Sequence, residues 1–103
     1  MPFAEFVAYD PSTGDAIVVD TGANELLRVD LATGVRTVLS GAAQTGTTFR
    51  DPRGVAVDVA NARALVVDDG RDSVFSVDLV TGARTVLSND SDAGPNYATP
   101  SGV

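Results

Sequence analysis

Short apolar runs separated by polar turns dominate the pattern of this chain. Residues 16–20 (AIVVD) and 64–68 (ALVVD) are apolar at consecutive positions, as expected for strands buried on both faces. Residues 25–31 instead alternate, with Arg28 and Asp30 on the polar side. Read in this way, the pattern predicts eight short strands, at residues 6–10, 16–20, 25–31, 35–40, 54–58, 64–68, 73–79 and 83–88.

Glycines stand where neighbouring strands would be joined by tight turns. Gly34 and Gly82 each follow a threonine. Gly34 lies between the third and fourth predicted strands and Gly82 between the seventh and eighth, where a short hairpin loop needs a residue with positive φ. We expect Gly22 and Gly70 to serve the same purpose between the second and third strands. The turns therefore predict antiparallel hairpins throughout.

The chain repeats itself. The stretch VDLATGVRTVLS at residues 29–40 returns as VDLVTGARTVLS at residues 77–88, and 22 of 49 positions are identical when residues 7–55 are laid over residues 55–103. A repeat of this length with four antiparallel strands is typical of a β-propeller blade. We therefore predict an all-β protein with one blade and its connection at residues 1–51, a second at residues 52–99, and the start of a further repeat at residues 100–103.

The repeated residues resemble a known superfamily. PRGVAVD at residues 52–58, LVVDDG at 65–70 and VFSVD at 74–78 resemble the NHL repeat, and the whole unit is similar to the YWTD and gluconolactonase-like propellers. The resemblance implies a blade of a ring that typically has six. Of the YWTD motif only the aspartate is kept, at Asp20 and Asp68, and no metal ligand of the gluconolactonase-like enzymes has a secure counterpart here.

Two blades alone would leave apolar sheet faces uncovered, which soluble monomers rarely tolerate. Because the units are alike, contacts between copies would run head to tail and could close into a ring. We expect a cyclic homotrimer with six blades, whereas four chains would give eight. The alternative is that the sequence is part of a longer array, such as a gluconolactonase-like, metal-dependent hydrolase.

Charge and composition narrow the function classes. The net charge is −7 and all seven cationic residues are arginines, so binding to nucleic acid or to an acidic membrane is disfavoured. No apolar run is long enough to span a membrane and no signal peptide is evident, so we expect a soluble protein of unknown compartment. Without histidine or cysteine, catalysis has little support, and we expect a non-enzymatic scaffold or binding module.

The long connections between units carry the candidate ligand-binding residues. Phe49 and Tyr97 occupy the same place in successive units and could stack on a small molecule or contact a protein on the loop face, or else pack over the blade junction. Arg50 and Arg53 could bind an anionic ligand. Arg71 could do the same.

Aspartates recur at the strand ends. Asp20 and Asp68 could belong to carboxylate circles that hold calcium, or could accept hydrogen bonds from turn N–H groups, which is the commoner use of such residues. The acidic turns at residues 68–72 and 89–92 invite the same calcium hypothesis. Arg36 and Arg84 are identical in the outermost strands, and we expect both to be solvated edge charges that discourage sheet aggregation.

Overall fold

Eight β-strands form two separate antiparallel sheets. The computed structural model describes residues 4–88, with side chains from residue 7 onward. The first sheet contains β1 (Ala4–Asp10), β2 (Asp15–Asp20), β3 (Glu25–Asp30) and β4 (Arg36–Ser40), and the second contains β5 (Pro52–Asp58), β6 (Arg63–Asp68), β7 (Ser73–Asp78) and β8 (Arg84–Ser88). Both follow chain order, so that within the described residues each sheet is open at its edges and neither closes into a barrel. The all-β prediction with four antiparallel strands in each unit is confirmed.

The pairing registers of the two sheets correspond strand by strand. Val18 pairs with Leu27 in the first sheet, and Val66 pairs with Phe75 at the equivalent place in the second. Even the irregularities coincide, because the first and third strand pairs of each sheet carry a bulge or register shift at matching positions. The repeat in sequence is therefore a repeat in structure.

Two turn types connect the inner strands, and they correct part of the sequence interpretation. Gly34 and Gly82 adopt positive φ, at 78° and 77°, as predicted. Gly22 and Gly70 do not, so that expectation was wrong. The left-handed residues in those turns are instead Asn24 and Asp72, which tolerate this conformation better than most side chains do.

Gly70 is needed for a different reason, which is close approach. A Cβ atom at this position would lie 2.9 Å from Cγ and 3.0 Å from Cβ of Arg50, in the connection that leads into the second sheet. The absence of a side chain therefore lets the β6–β7 turn lie against this connection.

The core lies between the two sheets, where β5 packs against β1 and β2. We call this contact the junction. From the first sheet and its connection it buries Ile17, Val19, Leu26, Leu39 and Phe49, and from the second sheet it buries Val55, Ala64, Val66, Phe75, Val77 and Leu79. The second strand of each sheet is buried along most of its length, which confirms the prediction from its consecutive apolar residues.

Candidate functional site

The outer faces of the sheets are apolar. On the first sheet, strand alternation puts Ala16, Val18, Leu27 and Val29 in a small cluster of their own, with Val7, Tyr9 and Val38 exposed beside it. On the second sheet, alternation puts Leu65, Val67, Val74 and Leu87 on the side away from the junction. We call these surfaces the first and second outer faces. Ala16, Val18 and Leu27 on the first and Val67 on the second are themselves buried, so each face has a buried centre and more exposed margins.

Hydrogen bonds cross the junction at its margins. Ser40 Oγ donates to the Gly82 carbonyl at 2.6 Å, and Thr21 Oγ1 donates to the Pro52 carbonyl at 2.7 Å. These bonds therefore add polar links between the two sheets to the apolar contacts of the junction.

Arg28 also crosses the junction. Its Nη2 donates to the Leu79 carbonyl at 2.8 Å. Its Nη1 lies 3.2 Å from a carboxylate oxygen of each of two aspartates, Asp10 and Asp15. The guanidinium therefore joins the first sheet to a backbone carbonyl of the second while it remains paired with carboxylates of its own sheet.

Arg84 occupies a closed socket at the junction, contrary to the expectation that it would be a solvated edge charge. The residue is 5% exposed. Its five N–H groups donate to Ser40 Oγ and to the carbonyls of Gly41, Gln44, Gly46 and Thr47, at 2.6–3.2 Å. Every donor that a guanidinium has is thus used, and every acceptor is neutral. Burial lowers the pKa of the Arg84 guanidinium from its ordinary value.

Phe49 forms one wall of this socket. Its ring lies 5.3 Å from the guanidinium carbon of Arg84 and packs edge-on against Phe75, with 5.3 Å between the ring centroids. The side chain is almost completely buried. Of the two interpretations of Phe49, packing over the junction describes its position, and contact with a ligand would require the ring to leave the core.

The arginines suggested for an anionic ligand lie along the connection and the start of β5. Arg50 is exposed. Arg53 is half-buried and its Nε lies 3.3 Å from Asp51 Oδ1. Arg71 is exposed and donates to the Thr48 carbonyl at 3.2 Å. Tyr97 lies outside the described residues, so the structure brings only part of the proposed set together.

Asp68 and Asp20 have different surroundings although they are repeat partners. The buried Asp68 carboxylate accepts the backbone N–H groups of Arg50, Asp51 and Arg71, which ties the connection to the β6–β7 turn. Asp20 accepts one described N–H group, that of Ala23. Of the two roles suggested for it, Asp68 therefore has the structural one, in which it accepts hydrogen bonds from backbone N–H groups.

Calcium binding at these aspartates stays a prediction. Within the described residues, no three carboxylates converge as a metal site would require. The acidic turn at residues 89–92 lies outside them. Titration of thermal stability with calcium tests the hypothesis, since binding to the folded state raises the melting temperature.

Each sheet also carries a hollow beside its third and fourth strands. The first measures about 340 Å³ and includes Asp15, Arg28 and Thr37, and the second measures about 230 Å³ and includes the repeat partners Arg63, Ser76 and Thr85. In the first hollow, Arg28 already donates to protein oxygens, so an anion would have to displace one of these bonds.

Comparison with protein-family models and with curated proteins found no match for this chain. In the described residues there is also no helix of sufficient length and apolarity to cross a bilayer. The interpretation of the outer faces therefore depends on the internal repeat and on the junction.

Sequence reasoning missed the main feature of the site, which is the burial of Arg84. The only available signal was that the segment RTVLS, with an arginine at its start and a serine four residues later, recurs at residues 36–40 and 84–88. That signal shows that the position matters, but burial depends on the connection that folds over it, which has few identical residues in the two units.

Proposed function

We propose that this chain is a two-blade unit of a β-propeller, similar to the NHL, YWTD and gluconolactonase-like superfamily, that closes into a ring with copies of itself. One observation supports this most strongly. Each outer face is the repeat counterpart of a face that is buried at the junction, so the surface that would cover each outer face already exists on the same chain.

On the first outer face, the exposure of the margin differs from that of its repeat partners, although Ala16, Val18 and Leu27 at its centre are buried. Val7 is 65% exposed, whereas its partner 48 residues later, Val55, is 8% exposed in the junction. Leu31 is likewise exposed while its partner Leu79 is buried. At these two positions the first sheet therefore lacks the cover that the second sheet has.

The second outer face shows the converse. Leu87 is 46% exposed, whereas its partner Leu39 is 7% exposed in the junction. Val74 is half-buried where Leu26 is fully buried. A second copy that presents its first outer face here would repeat the junction between chains, and such a contact runs head to tail.

Three chains would give the six blades that the resemblance implies. Burying two apolar faces in each chain, at about 25 cal/mol per Å², gives a driving force that can exceed the cost of association. The rotation between the two sheets of one chain would be repeated at each contact, which allows closure when it divides the circle evenly.

The ring would act as a rigid, non-enzymatic scaffold whose loops bind a small molecule or a protein. Loops on a rigid framework are frequent binding surfaces. With a net charge of −7, such a ring would repel nucleic acid and other polyanions. The binding partner would therefore be neutral, cationic, or held by the few arginines near the connection.

The mass in solution tests this proposal directly. Size-exclusion chromatography with light scattering should give three times the chain mass of 10.5 kDa, and four times that mass would indicate eight blades. A monomer at micromolar concentration overturns the proposal. Lactone hydrolysis that needs a divalent metal and is lost in Asp20→Asn would instead favour the hydrolase alternative.

A further inference from the structure

We propose that Arg63 links each copy to the next, and that its guanidinium donates to the Leu31 carbonyl of the neighbouring chain. This inference rests on the proposed self-assembly and gives it a specific polar contact. Its precedent is Arg28, whose Nη2 donates across the junction to the Leu79 carbonyl at 2.8 Å. Leu31 is the repeat partner of Leu79, so a repeated junction would bring its carbonyl to the second outer face.

The two arginines reach the junction side from different strands. Ser76 stands in the second sheet where Arg28 stands in the first, and its side chain is much shorter. Arg63 lies on the neighbouring strand β6, diagonally across from Ser76, because Arg63 pairs with Asp78 and Leu65 pairs with Ser76. Long side chains reach across such diagonal positions. An arginine at position 63 can therefore bring its guanidinium to the space that an arginine at position 76 would fill.

Corresponding carboxylates hold the two guanidiniums. Arg28 Nη1 lies 3.2 Å from Asp10 Oδ2, and Arg63 Nε lies 2.9 Å from Asp58 Oδ2. Asp10 and Asp58 are repeat partners at the ends of β1 and β5. The Arg63 guanidinium is therefore held near the place that corresponds to the Arg28 guanidinium in the first sheet.

Arg63 faces outward from the chain. It lies two residues before Leu65 on β6 and so belongs to the second outer face. The side chains of Arg63 and Asp58 are 32% and 25% exposed, against 19% and 1% for Arg28 and Asp10. Arg63 uses Nε in its bond to Asp58, and its Nη atoms donate to no described residue. These N–H groups can therefore donate to an acceptor on another chain.

The acceptor side is equally open. Leu31 follows β3 directly and is 58% exposed at the margin of the first outer face, whereas Leu79 is 7% exposed in the junction. A backbone carbonyl carries no net charge, so this contact adds no repulsion between acidic chains. The planar guanidinium can donate to Asp58 in its own chain and to Leu31 in the next, because its N–H groups point in several fixed directions.

The first experiment compares Arg63→Ala with Arg50→Ala, which removes an exposed arginine of the connection and changes the net charge equally. Analytical ultracentrifugation should show that Arg63→Ala raises the dissociation constant by about tenfold or more, since a hydrogen bond from a charged group is lost. Arg50→Ala should stay within about twofold of the parent, because a solvated charge contributes little. Far-ultraviolet circular dichroism should show both variants folded, since the Arg63–Asp58 pair is partly exposed.

A rescue variant tests where the guanidinium must lie. Arg63→Asp combined with Ser76→Arg rebuilds the first sheet's arrangement, in which Asp15 and Arg28 occupy these positions. Arg63→Asp alone should lose assembly, and the double variant should recover to within about threefold of the parent because the two sites are coupled. The double variant has the same net charge as Arg63→Ala, so net charge does not explain a recovery. A folded double variant that assembles no better than Arg63→Ala overturns the proposal.

Cross-linking tests the contact itself, and the chain suits it because it has no cysteine. Ser76→Cys places a thiol beside Arg63, and Leu31→Cys places one beside the acceptor. Mixed at a concentration where the parent assembles and treated with a short bismaleimide, the two variants should give a covalent 1:1 pair in a denaturing gel. Leu31→Cys alone should give none, because a head-to-tail contact keeps two first outer faces apart. Pairs formed by Leu31→Cys alone, or no pair in the mixture, overturn the contact.

The outcomes separate this inference from the proposed function. A parent chain that stays monomeric overturns both. A parent that assembles, with Arg63→Ala assembling equally well, overturns the arginine contact and leaves the ring intact.

Discussion

Asp10 shows how a single carboxylate is kept charged at the end of a buried strand. The residue is almost fully buried, which by itself would raise its pKa, but hydrogen bonds from Ser12, Arg28 and Thr13 outweigh burial and lower the pKa from 3.8. A carboxylate whose pKa is lower in the folded chain stabilises that chain above its unfolded pKa. The contribution is lost as the pH falls through the folded value.

Asp10→Asn should therefore be less stable than the parent near neutral pH, by about 1–3 kcal/mol, because hydrogen bonds to a charged group are weakened. The difference should shrink below about pH 4 as Asp10 itself becomes protonated. Urea unfolding between pH 7 and pH 2.5, followed by circular dichroism, measures both effects. Asp30→Asn is the matched control, since an asparagine there can still accept the N–H groups of Ala32 and Thr33. A gap between parent and Asp10→Asn that is constant with pH contradicts this account.

Other strand-end aspartates add to the acid sensitivity of the parent. Hydrogen bonds from Asn61 and Arg63 lower the pKa of Asp58, and backbone N–H groups of Thr81 and Val80 lower the pKa of Asp78. These residues agree with the prediction that aspartates at strand ends accept bonds in the turns. Asp78 is exposed and Asp58 is half-buried beside Arg63, so we expect their share of the effect to be smaller than that of Asp10.

At the same scale, the arginines show what the sequence could not reveal. Arg36 and Arg84 sit in RTVLS segments that are identical, and a single prediction was made for both. It agrees with the exposed Arg36 and was wrong for the buried Arg84. Identical local sequence fixes the strand, whereas the environment of a side chain depends on which neighbour covers it.

At the scale of the element, the β3–β4 and β7–β8 hairpins offer a matched comparison. Gly34 and Gly82 occupy the same turn position with nearly the same φ. A Cβ atom on Gly34 would meet nothing within 4 Å, whereas one on Gly82 would fall on the Leu39 carbonyl oxygen. The two glycines therefore separate backbone strain from steric contact at the junction.

Gly82→Ala should destabilise the chain by about 3 kcal/mol or more, since it combines left-handed strain with a clash against backbone. Gly34→Ala should cost only about 1 kcal/mol, from strain alone. Chemical unfolding under conditions where the chain is dissociated measures both. Equal losses would mean that the junction does not close on Gly82 as described.

Gly34→Ala has a second expected effect if copies assemble. By the repeat correspondence, Gly34 would meet the Leu87 carbonyl of the neighbouring chain as Gly82 meets that of Leu39. The variant should therefore remain folded and lose assembly. A normal ring from Gly34→Ala counts against a contact that repeats the junction.

Most strand boundaries were predicted to within two residues, for a clear physical reason. Apolar alternation and turn residues act locally, and here both give the same answer along residues 4–88. The turn conformations were harder to predict. Glycine is the usual residue with positive φ, so Gly22 and Gly70 were the expected positions, but in the structure Asn24 and Asp72 have the positive φ. The Asp68 carboxylate accepts the N–H groups of Arg50 and Asp51, which lie 18 and 17 residues away in the chain. No local sequence pattern reveals such contacts.

At the scale of the whole molecule, charge and interface chemistry act in opposite directions. Each chain carries a net charge of −7, so copies repel one another. The junction that would be repeated between them is mainly apolar, and the Arg84 socket contains only neutral acceptors. Salt should therefore screen the repulsion and leave the attractive contacts largely unchanged.

Assembly should accordingly strengthen as sodium chloride rises from about 20 mM to 500 mM, over which the Debye length falls severalfold. The melting temperature should also rise with protein concentration, because association stabilises the folded chain by mass action. Sedimentation velocity and thermal unfolding over a dilution series check these two expectations. Weaker assembly at high salt would indicate an interface held by ion pairs.

The duplicated junction has a further consequence for how such molecules can change in size. If the seam inside the polypeptide and the seam between polypeptides are alike, fusing or splitting chains alters the stoichiometry without demanding a new kind of contact. A gene that encodes one blade, two or six could then specify the same closed ring. The number of chains in that ring would equal its number of blades divided by the number of blades in each chain.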